Sequence, residues 1–295
     1  MRNLSANSLT ALLLAASFLP AASAAFAAGS APATRRPALA VEDTMRAEVP
    51  EVLVNAPRVT LAEMLDRVAA GEARRDSMLH DQSYVLTIRT VGHAADGKTP
   101  QLVEEVVTRI YQRRPNQSRA VPLRHWRAKP PKRPGAKAEV RVETDGGMDE
   151  DIVNFAFKPS ARRNYKYRIA GRQILGDHVV YRLAFEPRSA LDLHEPSGEV
   201  WVDTRDDVIV RQEITFRQSP VPMFLRGLDR MVVERQQANG FWVLGRVLAR
   251  VRTTIPLPQF GTSLDLAIQF TEYTVNTGLP DSLFATAAKP REAGR

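Results

Sequence analysis

The sequence predicts a mainly β protein built on one large, curved antiparallel sheet. Short segments that alternate apolar and polar residues follow one another from Tyr165 to Phe284, and turns such as Ala238-Asn239-Gly240 join them. About ten such segments occur in the chain, and strand twist makes a sheet of that width curl. A barrel or half-barrel is therefore expected, with an apolar face that a helix, a lid or a ligand must cover.

Residues 1–57 precede this domain. Residues 1–28 have the pattern of a secretory signal peptide, with Arg2, an apolar core from Leu9 to Leu19, and the small residues Ala22-Ser23-Ala24 at the cleavage spacing. The apolar core is too short for a transmembrane anchor. Residues 29–57 are rich in Ala, Pro and Arg and have no periodicity, so we expect a flexible leader.

Composition narrows the compartment and the class of partner. The chain has 295 residues, 0 Cys and a formal net charge of +8. Without cysteine there is no site for a lipoprotein anchor and no disulfide framework, so we expect a soluble periplasmic monomer stabilised by packing. The positive charge favours anionic partners, and export makes a nucleic acid an unsuitable one.

One domain is predicted at 58–288, followed by a tail at 289–295. It opens with a helix, because Thr60 and Glu63 have the spacing of a capping box; the helix has a weak point at Gly71 and reaches toward Met78. Its apolar stripe consists of Leu61, Met64, Leu65 and Val68. The strands are predicted at 84–89, 102–113, 138–143, 152–157, 165–175, 179–185, 199–202, 208–216, 231–237, 241–255 and 264–275.

The apolar face predicts a cavity, because one helix cannot cover so wide a sheet. The residues expected to line it are Tyr181, Leu183, Phe185, Val210, Ile214, Phe216, Phe241, Val243, Leu266, Ile268 and Phe270. Ordinary core packing is the alternative for most of them. Pro220 and Pro222 suit a helix start, so a helical lid is predicted there, or a crossover loop that plugs the sheet end. The lid residues are Met223, Phe224, Leu225 and Leu228.

A basic insert at 113–137 contains no acidic residue, and its five prolines argue against a regular element. Lys and Arg beside a Trp suit anionic phospholipid headgroups, since an indole prefers the membrane interface. The predicted headgroup contacts are Arg124, Trp126, Arg127, Lys132 and Arg133. The alternative is a solvated loop whose charges repel one another.

No catalytic, cofactor or metal site is predicted. The aspartates at 145–151 and at 203–207 lack the spacing of a calcium loop, and both groups are more simply strand turns. The histidines are His80, His93, His125, His178 and His194, and they have no close metal-ligand spacing.

Three segments carry a family resemblance. They are Gly198-Glu199-Val200-Trp201-Val202-Asp203, Gly240-Phe241-Trp242, and Tyr273-Thr274-Val275-Asn276 running into Leu279-Pro280-Asp281-Ser282-Leu283-Phe284. In this order, after a signal peptide and an opening helix, they resemble the outer-membrane lipoprotein-sorting proteins, the LolA-like periplasmic carriers, and related lipoprotein-binding domains. The resemblance implies an α+β fold in which helices close an incomplete barrel, and an apolar cavity that takes acyl chains without catalysis.

Two functions from different classes are therefore expected. The first is a periplasmic carrier that holds an acyl chain of a lipid or lipidated protein. The second is an envelope scaffold with a packed core, whose basic loop binds an anionic partner such as a membrane surface. An exported hydrolase ranks third, since it would need acids or a nucleophile to converge at one mouth of the barrel.

Overall fold

The computed structural model describes residues 59–93, 99–128, 151–189, 191, 195–218, 225–257 and 261–285. The predicted signal peptide, leader, tail and strand at 138–143 lie outside these residues. The described chain begins with helix α1, Leu61–Met78, and the Thr60 hydroxyl accepts a hydrogen bond of 3.2 Å from the backbone N–H of Glu63. The predicted N-cap is thus confirmed, and the helix continues through Gly71.

In the part of the chain that the structure describes, ten antiparallel strands form a single sheet. They are β1 (Asp81–His93), β2 (Pro100–Arg113), β3 (Gln117–Arg127), β4 (Tyr165–Leu175), β5 (His178–Pro187), β6 (Ser197–Asp203), β7 (Ile209–Thr215), β8 (Leu225–Ala238), β9 (Phe241–Leu257) and β10 (Gly261–Val275). The order across the sheet is β3-β2-β1-β10-β9-β8-β7-β6-β5-β4. The sheet is open at β3 and β4, which confirms the mainly β, incomplete-barrel prediction.

Tight turns set the register of the predicted hairpins. Asn239 (φ 51°) and Gly240 (φ 81°) both have left-handed backbone conformations, as a two-residue turn between β8 and β9 requires. Ala238 then pairs with Phe241. Gly176 (φ 62°) has the same role between β4 and β5. Among the described residues, these two hairpins have two-residue turns, so local turn chemistry accounts for the pairing of β4 with β5 and of β8 with β9.

The main apolar core lies on one face of the sheet, here called the covered face because two helices pack on it. Helix α1 contributes Met64, Leu65 and Val68 to this core. The short helix α2, Asp151–Asn154, packs against β7. With the turn after it, α2 supplies Ile152, Val153, Phe155, Ala156 and Phe157. The opposite face, called the outer face, carries many of the cross-strand ion pairs and a small cluster around Trp201.

Two predicted elements are wrong. Residues 152–157 form α2 and a turn, with the Phe157 N–H donating to the Asn154 carbonyl at 2.8 Å, and not a strand. A short, continuous apolar run does not distinguish a strand from a buried helix. The basic insert is not wholly irregular either, because β3 occupies its first half; an edge strand tolerates Pro122.

Neither helix in the described part of the chain is long and apolar enough to cross a membrane.

Candidate functional site

The covered face brings most of the predicted cavity residues together. The main core includes Tyr181, Leu183, Phe185, Ile214, Ile268 and Phe270, while Phe216 and Leu266 are half-buried against it. These side chains come from β5, β7, β10 and the residue that follows β7. A shared apolar surface therefore runs across much of the sheet beneath α1 and α2.

Val210, predicted to line the same cavity, lies on the outer face. Trp201 pairs with Arg211 while Val202 pairs with Ile209, so Val210 is an extra residue in β7. This β-bulge moves Val210 into the outer cluster with Trp201. The prediction fails because alternation along a strand assumes an unbroken register.

Phe241 and Val243 belong to a separate small cluster with Leu79 and Val275, near the end of α1. Here β9 and β10 have separated, since their pairing reaches only Arg246 and Gln269. The gap contains a cavity of about 470 Å³ that touches Gly245, Arg246 and Gln269. These two predicted residues therefore lie beside the main core and do not form part of it.

Aromatic rings fix the segment after α2 to the sheet. Phe155 and Phe157 pack edge-on against Phe185, with ring centroids 5.9 and 5.7 Å apart. The Tyr167 hydroxyl donates to the Ala156 carbonyl, and burial raises the pKa of Tyr167 to about 12. The segment is thus held both by packing and by a hydrogen bond to its backbone.

A buried ion-pair network joins α1 to the sheet. The Arg235 side chain is fully buried and donates to both carboxylate oxygens of Glu72, at 2.6 and 3.0 Å. Arg235 also donates to the Ile209 carbonyl at 2.9 Å, and Glu72 accepts from the Ile209 N–H at 2.8 Å. Arg75, 3.9 Å from Glu72, donates to the Trp242 carbonyl at 2.7 Å. One turn of α1 therefore contacts β7, β8 and β9 through charged groups.

Burial and neighbouring charges shift the pKa values of Glu72 and Arg75 in this network. Burial raises the pKa of Glu72, but the charge and hydrogen bonds of Arg235 outweigh burial, so the pKa lies below its usual value. Burial and the neighbouring Arg235 lower the pKa of Arg75 to about 10. Glu72 and Arg75 therefore remain charged at neutral pH, and Arg75 has a further partner in Asp76 at 2.6 Å.

Two buried amides nearby, Gln212 and Asn154, have side-chain atoms without a hydrogen-bond partner. Gln212 is 0% exposed on the covered face, where it pairs with Val200 on one side and Val233 on the other. Neither its amide oxygen nor its nitrogen has a partner, and the Asn154 Oδ1 atom has none. Sequence reasoning missed Gln212, although a polar residue in phase with Ile214 on an apolar strand is a usable signal.

The predicted lid is strand where the structure describes it. Leu225 begins β8, and Leu228 is buried within that strand at 2% exposure. Met223 and Phe224 lie outside the described residues. The helical-lid prediction is therefore wrong for Leu225 and Leu228, because two prolines give a helix-like start but do not prevent a strand immediately after them.

Strand β3 places three of the five predicted headgroup contacts at the sheet edge. Trp126 is 46% exposed, and the half-exposed side chain of Arg124 pairs with Glu105. Arg127 lies 3.6 Å from Glu104. Lys132 and Arg133 lie outside the described residues. The two arginines are therefore partly neutralised by carboxylates of β2, which the insert's own sequence does not reveal.

The described residues contain no group of three or more histidine, aspartate or glutamate side chains placed to hold a metal ion. Instead, individual histidines pair with carboxylates: His178 contacts Asp203 at 2.7 Å and Asp177 at 3.3 Å. The other such pairs are His93 with Asp265 at 2.9 Å and His125 with Glu104 at 2.8 Å. Asp203 also accepts from the N–H groups of Arg205 and Asp206, at 2.8 and 2.9 Å, which confirms the predicted turn.

Comparison with known proteins yields structural likenesses. No family model and no curated protein matches the sequence. A LolA superfamily protein from Nitrosomonas europaea is similar, with 13% identity, 78% of this chain and 99% of that chain covered, and a TM-score of 0.31. A DUF1329 family protein from Desulfovibrio piger has 14% identity, coverage of 76% and 98%, and a TM-score of 0.32.

The Mycobacterium tuberculosis lipoprotein LppX is similar at 10% identity, with 75% of this chain and 99% of that chain covered and a TM-score of 0.25. The structures to which this chain is similar thus include the LolA superfamily that the sequence resembles. At these TM-scores the likenesses carry no further argument, and the fold follows from the strand ladders of the chain itself.

Proposed function

We propose that this chain is a periplasmic carrier that holds an acyl chain of a lipid or lipidated protein and performs no catalysis. The observation that supports it is the covered face, where apolar side chains of one open sheet meet only α1 and the α2 segment among the described residues. The signal-peptide pattern and the missing cysteines support a soluble periplasmic form.

Lipid that co-purifies with the protein tests this function. We expect mass spectrometry of organic extracts from the purified protein to detect acyl lipid at a stoichiometric level. Replacing Ala249 by tryptophan fills part of the covered face, since Ala249 is a small residue of the main core. A249W should lower the lipid-to-protein ratio several-fold while the β-sheet signal in circular dichroism is retained.

The matched control is Leu248→Trp, because Leu248 is the next residue of β9 and points to the opposite face. L248W should retain the lipid of the unmodified protein. A lipid-free preparation that also fails to take up a fluorescent fatty acid would contradict the carrier function.

A second candidate function is docking on an anionic partner through the β3 edge. The supporting observation is a group of exposed apolar side chains on β2 and β3 beside basic residues. Leu102, Leu123 and Trp126 are 37%, 53% and 46% exposed, and Arg124 projects from the same strand as Trp126. Exposed apolar groups flanked by arginines suit the headgroup region of a membrane.

Vesicle binding tests this docking. Changing Arg124, Arg127, Lys132 and Arg133 to glutamine should weaken binding to phosphatidylglycerol vesicles at least about tenfold, since each charge near the surface contributes about 1 kcal/mol and two of the four have carboxylate neighbours. The control changes Arg163, Lys166, Arg168 and Arg217, which are exposed elsewhere, and should bind as the unmodified protein does. Equal binding by both variants, or binding that is insensitive to salt, would exclude the β3 edge as the docking surface.

A further inference from the structure

We infer that Gln212 is a polar anchor for the bound lipid, and that its amide binds the carbonyl linkage, ester or amide, that joins an acyl chain to its headgroup. The inference rests on the carrier function proposed above and adds to it the position and chemistry of one contact.

Gln212 has no reason to be polar within the protein itself. Its side chain is fully buried, its partners on the adjacent strands are Val200 and Val233, and both ends of its amide lack a hydrogen bond. A leucine or methionine would pack there without the cost of about 1–3 kcal/mol that an unpaired buried amide carries. The amide becomes useful if a ligand supplies the missing partners.

Other unpaired groups lie around the same place. Arg235 stands two residues beyond Val233 on the same face of β8, and its Nε atom has no partner. Asn154 comes from α2, which packs against β7, and it reaches Glu72 with its Nδ2 atom at 3.4 Å while Oδ1 remains unpaired. Unused donors and acceptors from two strands and a helix thus surround the network of Glu72 and Arg235.

The chemistry of these groups selects a neutral ligand. The nearby charges are already paired, Arg235 with Glu72 and Arg75 with Asp76, so a phosphate would find no free cation there among the described residues. A carbonyl oxygen can accept from Gln212 Nε2 or Arg235 Nε, and an amide linkage can also donate to Gln212 Oε1. When the carbonyl at the head of an acyl chain binds at Gln212, the hydrocarbon that follows it lies against the apolar core. Since Gln212 has no exposed surface, a helix has to shift off the covered face for the linkage to reach it, and α2, which packs against β7, is the shorter of the two.

The experiment compares three probes on two proteins. The probes are a pyrene-labelled decanoyl chain that ends in a primary amide, the same chain as its methyl ester, and decylpyrene, which has no carbonyl. Gln212→Met is expected to raise Kd about tenfold for the amide and the ester and to leave Kd for decylpyrene within about twofold, since one hydrogen bond is lost. Q212M should also raise Tm by about 4 °C, because it removes an unpaired buried amide. Gln101→Met, at an exposed position of β2, is the matched control and should change no Kd.

The outcomes separate this inference from the carrier function. If Q212M binds all three probes as tightly as the unmodified protein does, Gln212 is not an anchor, although the carrier function stands. If the unmodified protein binds none of the probes, the carrier function fails and the anchor with it. A second measurement needs no variant: the infrared carbonyl stretch of the bound ¹³C-labelled ester should shift to lower wavenumber than in hexane. An unshifted band would overturn the inference even if Q212M did not fold.

Discussion

Replacing Arg235 by methionine is expected to lower the free energy of unfolding by about 3–5 kcal/mol. Arg235 is fully buried and holds both oxygens of Glu72 and the Ile209 carbonyl. Its removal leaves the Glu72 carboxylate buried with its closest cation gone, and the remaining one, Arg75, is 3.9 Å away. Urea denaturation monitored by tryptophan fluorescence measures the change. The protein should still fold, because the apolar contacts between α1 and the sheet are untouched.

Two further variants test the reason for that loss. The double variant Glu72→Met with Arg235→Met should recover most of the stability, since an apolar pair of similar size removes the uncompensated charge. Arg252→Met is the exposed control: Arg252 pairs with Asp229 at 2.7 Å but its side chain is 51% exposed, so the change should stay below about 1 kcal/mol. If R235M costs no more than R252M, the buried network does not hold α1 on the sheet.

The burial and pairing of Glu72 and Arg235 could not be predicted from the sequence. Glu72 and Arg235 are 163 residues apart, and each looks like an ordinary solvent-facing residue, one in a helix and one in a strand. Nothing local marks either side chain as buried, because burial depends on how α1 docks across the sheet. For Gln212 the alternation with Ile214 does indicate a buried position, but its missing hydrogen-bond partners become apparent only when its neighbours on β6 and β8 are known.

Features that depend on local chemistry could be predicted. Asn239-Gly240 specifies a two-residue turn, and β8 and β9 are paired on either side of it. Thr60 caps α1 as its spacing with Glu63 indicates. Alternation then placed Leu183 and Ile268 on the covered face. These predictions succeed because turn, cap and alternation each act within a few residues.

The wrong predictions concern features that depend on contacts between distant segments of the chain. Val210 lies in a β-bulge that depends on the pairing of β6 with β7, and alternation within one strand does not reveal such an extra residue. The segment 152–157 was predicted as a strand because it is a continuous apolar run. It is apolar because α2, with Ile152 and Val153, is buried on the covered face. The strand β3 was missed because its proline and arginines suit an edge strand as well as a loop, and only its pairing with β2 decides between them.

Replacing Gly71 by alanine is expected to lower the free energy of unfolding by about 2–3 kcal/mol, against the direction that helix propensity predicts. In an exposed helix, this change would stabilise the protein by about 1 kcal/mol. Here a Cβ atom at position 71 would lie 2.4 Å from the Asp207 carbonyl oxygen and 2.7 Å from that of Asp206. Both obstacles are backbone atoms in the turn between β6 and β7, so neither can swing aside as a side-chain end would.

Ala70→Gly is the matched control, because Ala70 is exposed on the same turn of α1. It should lower the free energy of unfolding by about 1 kcal/mol through helix propensity alone. The turn that Gly71 contacts is also held by Arg74, which donates to the Asp206 carbonyl at 2.8 Å, and by the Trp242 indole, which donates to the Asp206 carboxylate at 2.8 Å. An increase in stability for G71A in urea denaturation would mean that α1 does not rest on this turn. A decrease for both variants would show that the helix needs glycine there to dock and alanine elsewhere to form. The position of α1 over the covered face would then be set by the turn between β6 and β7 as well as by apolar packing.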